Sequence, residues 1–201
     1  MTRINECGEP LVRIEKNMPF AIEERWNPNG VWLRKTVLDL LVEAKKNLPR
    51  GISFIIHSGW RSVDEQKQTF EETKSYLSRI NPKVSKEKLL EMTKQYVHPY
   101  QGKKASGHLT GGAVDLRLYK NGRRLPMRSS KLSYKENATT FQPKLPNYIQ
   151  RNRQLLYEVM TGVGFVNYPL EYWHYSYGDY YWAKANGVDL AGCGIIKRRM
   201  S

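Results

Sequence analysis

Four histidines occur in the chain, His57, His98, His108 and His174, and two of them keep company that could do chemistry. In Ser106-Gly107-His108-Leu109-Thr110-Gly111-Gly112-Ala113-Val114-Asp115 an imidazole and a carboxylate stand seven residues apart across a glycine pair. In Glu171-Tyr172-Trp173-His174 a second imidazole follows a carboxylate. Two imidazoles and one carboxylate make a three-ligand set suited to catalytic zinc, with the fourth tetrahedral position left for water or a substrate oxygen. A carboxylate beside such a site, here Glu171, can take a proton from the water and later deliver it to a leaving amine. His57 and His98 have no ligand partner nearby in sequence and read as surface or satisfied core residues.

These side chains need particular backbone beneath them. Gly111-Gly112 allows a close turn between His108 and the strand that carries Asp115, because glycine has no Cβ to clash in strained backbone. On that strand Asp115 projects opposite to Val114, Leu116 and Leu118, which can enter a core. Glu171 and His174 differ in parity, so a regular strand would send them to opposite faces. Both reach one cavity only if the segment bends, and Pro169 disfavours a regular strand there.

The surrounding pattern predicts helices interleaved with a small sheet, an α+β architecture. Asn29 to Leu48 carries Trp32, Leu33, Val37, Leu40, Leu41 and Ala44 at helical spacing and is closed by Pro49, which predicts one amphipathic helix. Ile52 to His57 reads as a buried strand. Ser62 and Glu65 form a capping box for a helix to about Ile80, and Ser85 caps another to about Val97. Gly112 to Tyr119 alternates as a strand, and Asn121-Gly122 turns it into a return strand near Arg124 to Met127. Arg128 to Asn147 has little periodicity and reads as a long, substrate-facing connection. Tyr148 to Thr161 reads as a helix ended by Gly162 and Gly164, and Leu170 to Tyr177 as an aromatic strand.

Composition narrows the classes. With 201 residues and 40% hydrophobic residues, a single domain over 1–201 is expected, without an apolar run that could span a bilayer. Thirty-three Lys and Arg against 19 Asp and Glu leave a net charge of +14, which attracts polyanions. The basic residues are nevertheless scattered in pairs (Lys45-Lys46, Lys103-Lys104, Arg123-Arg124) with one short run at Lys197, Arg198 and Arg199. No nucleic-acid-binding motif accompanies them, so no specific nucleic-acid partner is expected. Cys7 and Cys193 lack the spacing of a four-thiolate metal site. Met1 to Lys16 lacks the apolar core of a secretory signal, which predicts a cytoplasmic location.

Taken together, SGHLTGGAVD and EYWH, with Trp60-Arg61 upstream, resemble the zinc D-alanyl-D-alanine dipeptidases and their DD-carboxypeptidase relatives in the M15 peptidase group. Cys7-Gly8-Glu9-Pro10-Leu11-Val12, Asn152-Arg153-Gln154-Leu155-Leu156 and His174-Tyr175-Ser176-Tyr177-Gly178-Asp179 look like the dipeptidase branch. The resemblance implies His108, Asp115 and His174 as ligands of one zinc ion and Glu171 as general base and then acid. It further implies Arg61 as the group that polarises the scissile carbonyl, and Ser106 as a substrate contact. The implied fold is the α+β fold of this group and of the Hedgehog-like domains, a small, mostly antiparallel central sheet flanked by helices. The implied reaction is zinc-dependent hydrolysis of D-alanyl-D-alanine or a related cell-wall-derived peptide. DD- or LD-carboxypeptidase action on longer peptides, or a zinc-containing module that binds peptide without cleaving it, are the alternatives. Two departures stand out. Ser58 occupies the position, three before the arginine, where these dipeptidases usually carry Asp. Arg128-Ser129-Ser130-Lys131 lacks the acidic residue that grips a free ammonium, leaving Glu136 as the nearest carboxylate.

Overall fold

The strand that carries Asp115 is the middle of the molecule, and its neighbours follow from the chain order of a computed structural model that describes residues 2–102 and 105–197. Lys103-Lys104, Arg198 and Arg199 lie outside the described residues. The elements are β1 (Arg3–Ile4), β2 (Leu11–Arg13), β3 (Phe20–Ile22), β4 (Trp32–Arg34), α1 (Lys35–Lys46), β5 (Ile52–Ser58), α2 (Val63–Ile80) and α3 (Lys86–Lys94). They continue as β6 (Ala113–Lys120), β7 (Arg123–Arg124), α4 (Tyr134–Ala138), α5 (Asn147–Thr161), β8 (Val166–Asn167), β9 (His174–Ser176), α6 (Tyr180–Ala185) and β10 (Leu190–Ala191). A six-stranded sheet runs β3-β5-β6-β9-β8, with β7 hairpinned onto β6. Among the described residues no helix is long and apolar enough to cross a membrane.

The α+β reading holds, and the sheet is mixed: β3 and β5 are parallel, while the other pairs are antiparallel. The chain leaves β3, passes through β4 and α1, and returns as β5, the helical crossover that parallel neighbours need. On β6, Val114, Leu116 and Leu118 are fully buried, and they join Phe54 and Ile56 of β5, Val37 and Leu41 of α1, and Leu156 and Met160 of α5 in one core. Alternation therefore leaves Asp115 and Arg117 on the other face.

The caps act as the sequence predicts. Glu65 N–H donates to Ser62 Oγ at 3.1 Å, Ser62 N–H donates back to Glu65 Oε2 at 2.7 Å, and α2 ends at Ile80. Asn121 adopts a positive φ of 50° in the β6–β7 turn, although the return strand stops at Arg124.

The expected helix over Asn29 to Leu48 needs correction, because Trp32–Arg34 is a strand antiparallel to β2 and the helix begins only at Lys35. The reason is a long-range polar network. Arg34 is 1% exposed, and its guanidinium donates to Thr110 O at 2.8 Å, Glu9 O at 2.9 Å and both Glu6 oxygens at 2.5 and 2.8 Å. These bonds tie the N-terminal segment to the turn that carries His108. Arg34→Ala strands buried carbonyls while the half-exposed Glu6 can rehydrate, so a loss of about 3 kcal/mol in unfolding free energy is expected, read as a lower urea midpoint.

The connection from Arg128 to Asn147 is ordered by side chains that periodicity does not register. Asn137 accepts from Ser129 N–H at 2.7 Å and donates to Ser129 O and Leu132 O at 2.8 Å. From α5, the buried Arg153 donates to Met127 O at 2.8 Å and Asn137 O at 2.6 Å. This clasp fixes α4 and aims Tyr134 toward the site below.

Candidate metal centre and its cleft

Ser106 opens a buried 3₁₀ turn, Gly107–Thr110, its hydroxyl accepting from His108 N–H at 3.4 Å. Gly111 ends the turn at φ 69°, where an added Cβ would lie 2.6 Å from Leu11 Cδ2. At Gly112 an added Cβ would lie 2.6 Å from Tyr177 O. Both glycines are therefore required for the return into β6. His108 Nδ1 donates to Gly59 O at 2.7 Å, because a carbonyl can only accept. That leaves Nε2 free of its proton, 3.2 Å from Asp115 Oδ2.

Asp115 sits between two strands, paired with Ser58 on β5 and His174 on β9. His174 Nδ1 lies 2.9 Å from Asp115 Oδ1. His108, Asp115 and His174 are all buried, and each offers a donor atom within 4.8 Å of the others. The three residues proposed from sequence are thus brought together.

Glu171 joins them through the expected bend. The strand candidate Leu170 to Tyr177 is a strand only over His174–Ser176, and turns at Pro169-Leu170 and Tyr172-Trp173 precede it. Glu171 N–H donates to Tyr168 O at 2.9 Å and His174 N–H to Glu171 O at 3.0 Å. The Asn167 amide donates to Glu171 O at 3.2 Å and His174 O at 3.0 Å, closing the turn from β8. Glu171 Oε2 consequently stands 4.0 Å from His174 Nδ1.

The electrostatics suit a cation. Burial alone would raise Asp115, but the charges and hydrogen bonds of His108 and His174 outweigh it and hold the carboxyl well below its usual range. Burial lowers His108. For His174 burial also lowers, yet the hydrogen bond and charge of Asp115 prevail and the imidazole is raised. Burial pushes the Glu171 carboxyl up to about 7, with His174 opposing the rise and Asp115 adding to it. Two nitrogens and one oxygen, with one imidazole's tautomer fixed by a backbone carbonyl, fit the donor set and outer support of a zinc site. A dication there would favour the ionised form of every carboxylate facing it, Glu171 included.

Arg61 reaches the same place. Its Nη2 is 3.5 Å from Asp115 Oδ2, its Nε donates to Ser58 Oγ at 3.0 Å, and its Nη1 donates to Gln66 Oε1 at 3.2 Å. Ser58, the departure noted in sequence, thus orients the guanidinium with a hydroxyl. Arg61, Gln66, Ser106, Tyr134, Glu171 and Trp173 line a cavity of about 220 Å³ that opens onto the three-residue cluster.

Sequence reasoning missed Gln66, Tyr134 and His98. Gln66 is buried and donates to His98 O at 2.8 Å. The His98 ring lies 6.5 Å from that of His174, with Nδ1 3.2 Å from Tyr181 Oη. No local signal marks these residues, since their partners come from distant elements. Glu136, the nearest carboxylate in sequence for an ammonium, is absent from the cavity. It caps α4 through Ser133 and pairs with Lys144 at 2.7 Å.

Comparison with known proteins places the chain in a family. A family model described as D-ala-D-ala dipeptidase, Peptidase_M15, matches residues 33–187. The D-alanyl-D-alanine dipeptidase of Escherichia coli K12 is 39% identical over 72 residues, covering 35% of this chain and 37% of that protein. The protein of the same name from Synechocystis is 34% identical over 88 residues, covering 38% of this chain and 36% of the relative. The chain therefore aligns with little more than a third of either curated relative. Among solved structures, the LdcB LD-carboxypeptidase is similar with a TM-score of 0.52 and 21% identity, over 92% of this chain and 76% of that one. That likeness is one of fold.

Proposed function

Because this chain belongs to the Peptidase_M15 family of D-ala-D-ala dipeptidases, we propose that it is a single-domain, zinc-dependent metallopeptidase that hydrolyses D-alanyl-D-alanine or a closely related D-amino-acid-containing peptide. The observation that carries the reading is the convergence of His108, Asp115 and His174 within 4.8 Å, with Glu171 4.0 Å from His174. His108 Nε2, an Asp115 oxygen and His174 Nδ1 would hold the ion. Bound there, zinc supplies Lewis acidity toward the scissile carbonyl and toward water.

The chain's own groups do the rest. Glu171 takes the proton of the attacking water and returns it to the departing amine. Arg61, steadied by Ser58 and Gln66, meets the charge that develops on the carbonyl oxygen, a contribution of roughly 2.7–4 kcal/mol for a well-placed donor. Ser106, at the mouth of the His108 turn, contacts the substrate.

A second reading, cleavage at the end of a longer peptide, is favoured by one observation. Beyond Asp115 and Glu171 no carboxylate lines the cavity among the described residues, so a free ammonium finds no partner of its own. Product analysis decides between them. Incubated with D-alanyl-D-alanine, its N-acyl derivatives and longer peptides, the protein is expected to release D-alanine, and a chelator to stop it. A peptide that stays bound and intact with zinc present would indicate a binding module instead.

A further inference from the structure

A larger cavity of about 460 Å³ continues the catalytic one, sharing Arg61, Thr69, Asp115 and Trp173 with it and adding His57, Ser58, Glu72 and Arg117. Arg117 lies two residues beyond Asp115 on the same face of β6, so its guanidinium stands beside the cleft. Its Nε is buried without a hydrogen-bond partner. Its guanidinium carbon lies 6.0 Å from the ring centroid of Tyr172, whose hydroxyl it also influences through a side-chain hydrogen bond.

The acids around this cavity do not neutralise it. Glu23 lies 2.8 Å from His57 Nδ1 through one oxygen and pairs with Arg124 through the other. Asp115 belongs to the metal cluster, and Glu72 is exposed and accepts from Gln68 at 2.8 Å. Among the described residues no carboxylate forms an ion pair with Arg117. A half-buried guanidinium that lines a cavity without a carboxylate partner is suited to an anion.

Resting on the second reading above, cleavage at the end of a longer peptide, we propose that this second cavity receives a carboxylate carried on the acyl side of the scissile bond, with Arg117 as its partner. With the C-terminal end of the peptide placed in the 220 Å³ chamber at the cluster, only its acyl side has further residues to extend into the larger one. One or two further residues reach about 3.5–7 Å, and the two chambers adjoin through the four residues they share. The preferred substrates are then acidic, N-blocked peptides ending in D-alanyl-D-alanine.

The test compares N-succinyl- with N-acetyl-D-alanyl-D-alanine, which differ by one carboxymethyl group and so by one negative charge, binding to zinc-loaded Glu171→Ala protein in a calorimeter. At low salt the succinyl probe is expected to bind about tenfold tighter, the size of one charge-assisted hydrogen bond. Adding Arg117→Gln should bring the two probes together, and Arg117→Lys should retain part of the gap. Equal binding of both probes before any change at Arg117, or an equal weakening of both by Arg117→Gln, overturns the proposal. Should Arg117→Gln fail to fold, a salt series decides: the gap must narrow as screening rises, and a constant gap counts against it. Failure of the hydrolysis reading is seen separately, as unmodified, zinc-loaded protein that releases no D-alanine from D-alanyl-D-alanine or from either probe.

Discussion

Glu171→Ala is expected to lower kcat by about 10³–10⁴-fold, since one group serves as base and then acid, while the zinc content of the protein is unchanged. The separation of the two effects follows from geometry. The carboxylate stands 4.0 Å from His174 Nδ1 and outside the three-donor cluster, so its removal leaves every proposed ligand in place. The turn also survives, because Glu171 holds it through backbone groups: its N–H bonds to Tyr168 O at 2.9 Å, and its carbonyl accepts from His174 N–H at 3.0 Å. Steady-state kinetics paired with metal analysis of the same preparation reads both quantities. Near-normal turnover would remove Glu171 from the chemistry, and loss of zinc along with activity would make it a ligand.

Removing the ion, or one of its ligands, should have the larger effect. His108→Ala is expected to abolish measurable hydrolysis and zinc retention together, because it deletes one of three donors and leaves Asp115 buried beside a single imidazole. Chelation of the unmodified protein should do the same reversibly, with activity returning on zinc addition. A thermal readout independent of turnover accompanies it. Free zinc at about 1,000 times its Kd should stabilise the fold by about 4 kcal/mol, and His108→Ala should erase that increment. Zinc that neither restores activity nor raises the melting temperature would leave the cluster as a purely polar core feature.

The same geometry explains why recognition was uneven along the chain. His108, Asp115, His174 and Glu171 were legible because their local settings are distinctive: a glycine pair behind one imidazole, and a carboxylate one turn before the other. The bend that brings Glu171 and His174 together followed from strand parity and Pro169. His98 was not legible. Its neighbours are His174, Tyr168 and Tyr181, which arrive from the other end of the chain. His57 likewise meets Glu23 only because β3 and β5 are parallel neighbours and β5 bulges between Ile56 and Ser58.

Arg34 is the clearest case of tertiary control. Its surroundings in sequence have helical periodicity, yet partners at Glu6, Thr110 and Gly194 draw it into a strand end beneath the His108 turn. A periodic pattern records which face can be buried, whereas a buried guanidinium must satisfy its donors wherever acceptors converge. The amino-acid order alone determined the donor types, the glycines that let the backbone turn, and helix starts such as Ser62-Glu65, because each depends on atoms within a few residues. Only the tertiary structure decided that Ser58 and Gln66 steady Arg61, that Glu136 faces away, and that Arg117 borders a second chamber. Those outcomes depend on which distant strands and helices pack together, and no short stretch of chain contains that information.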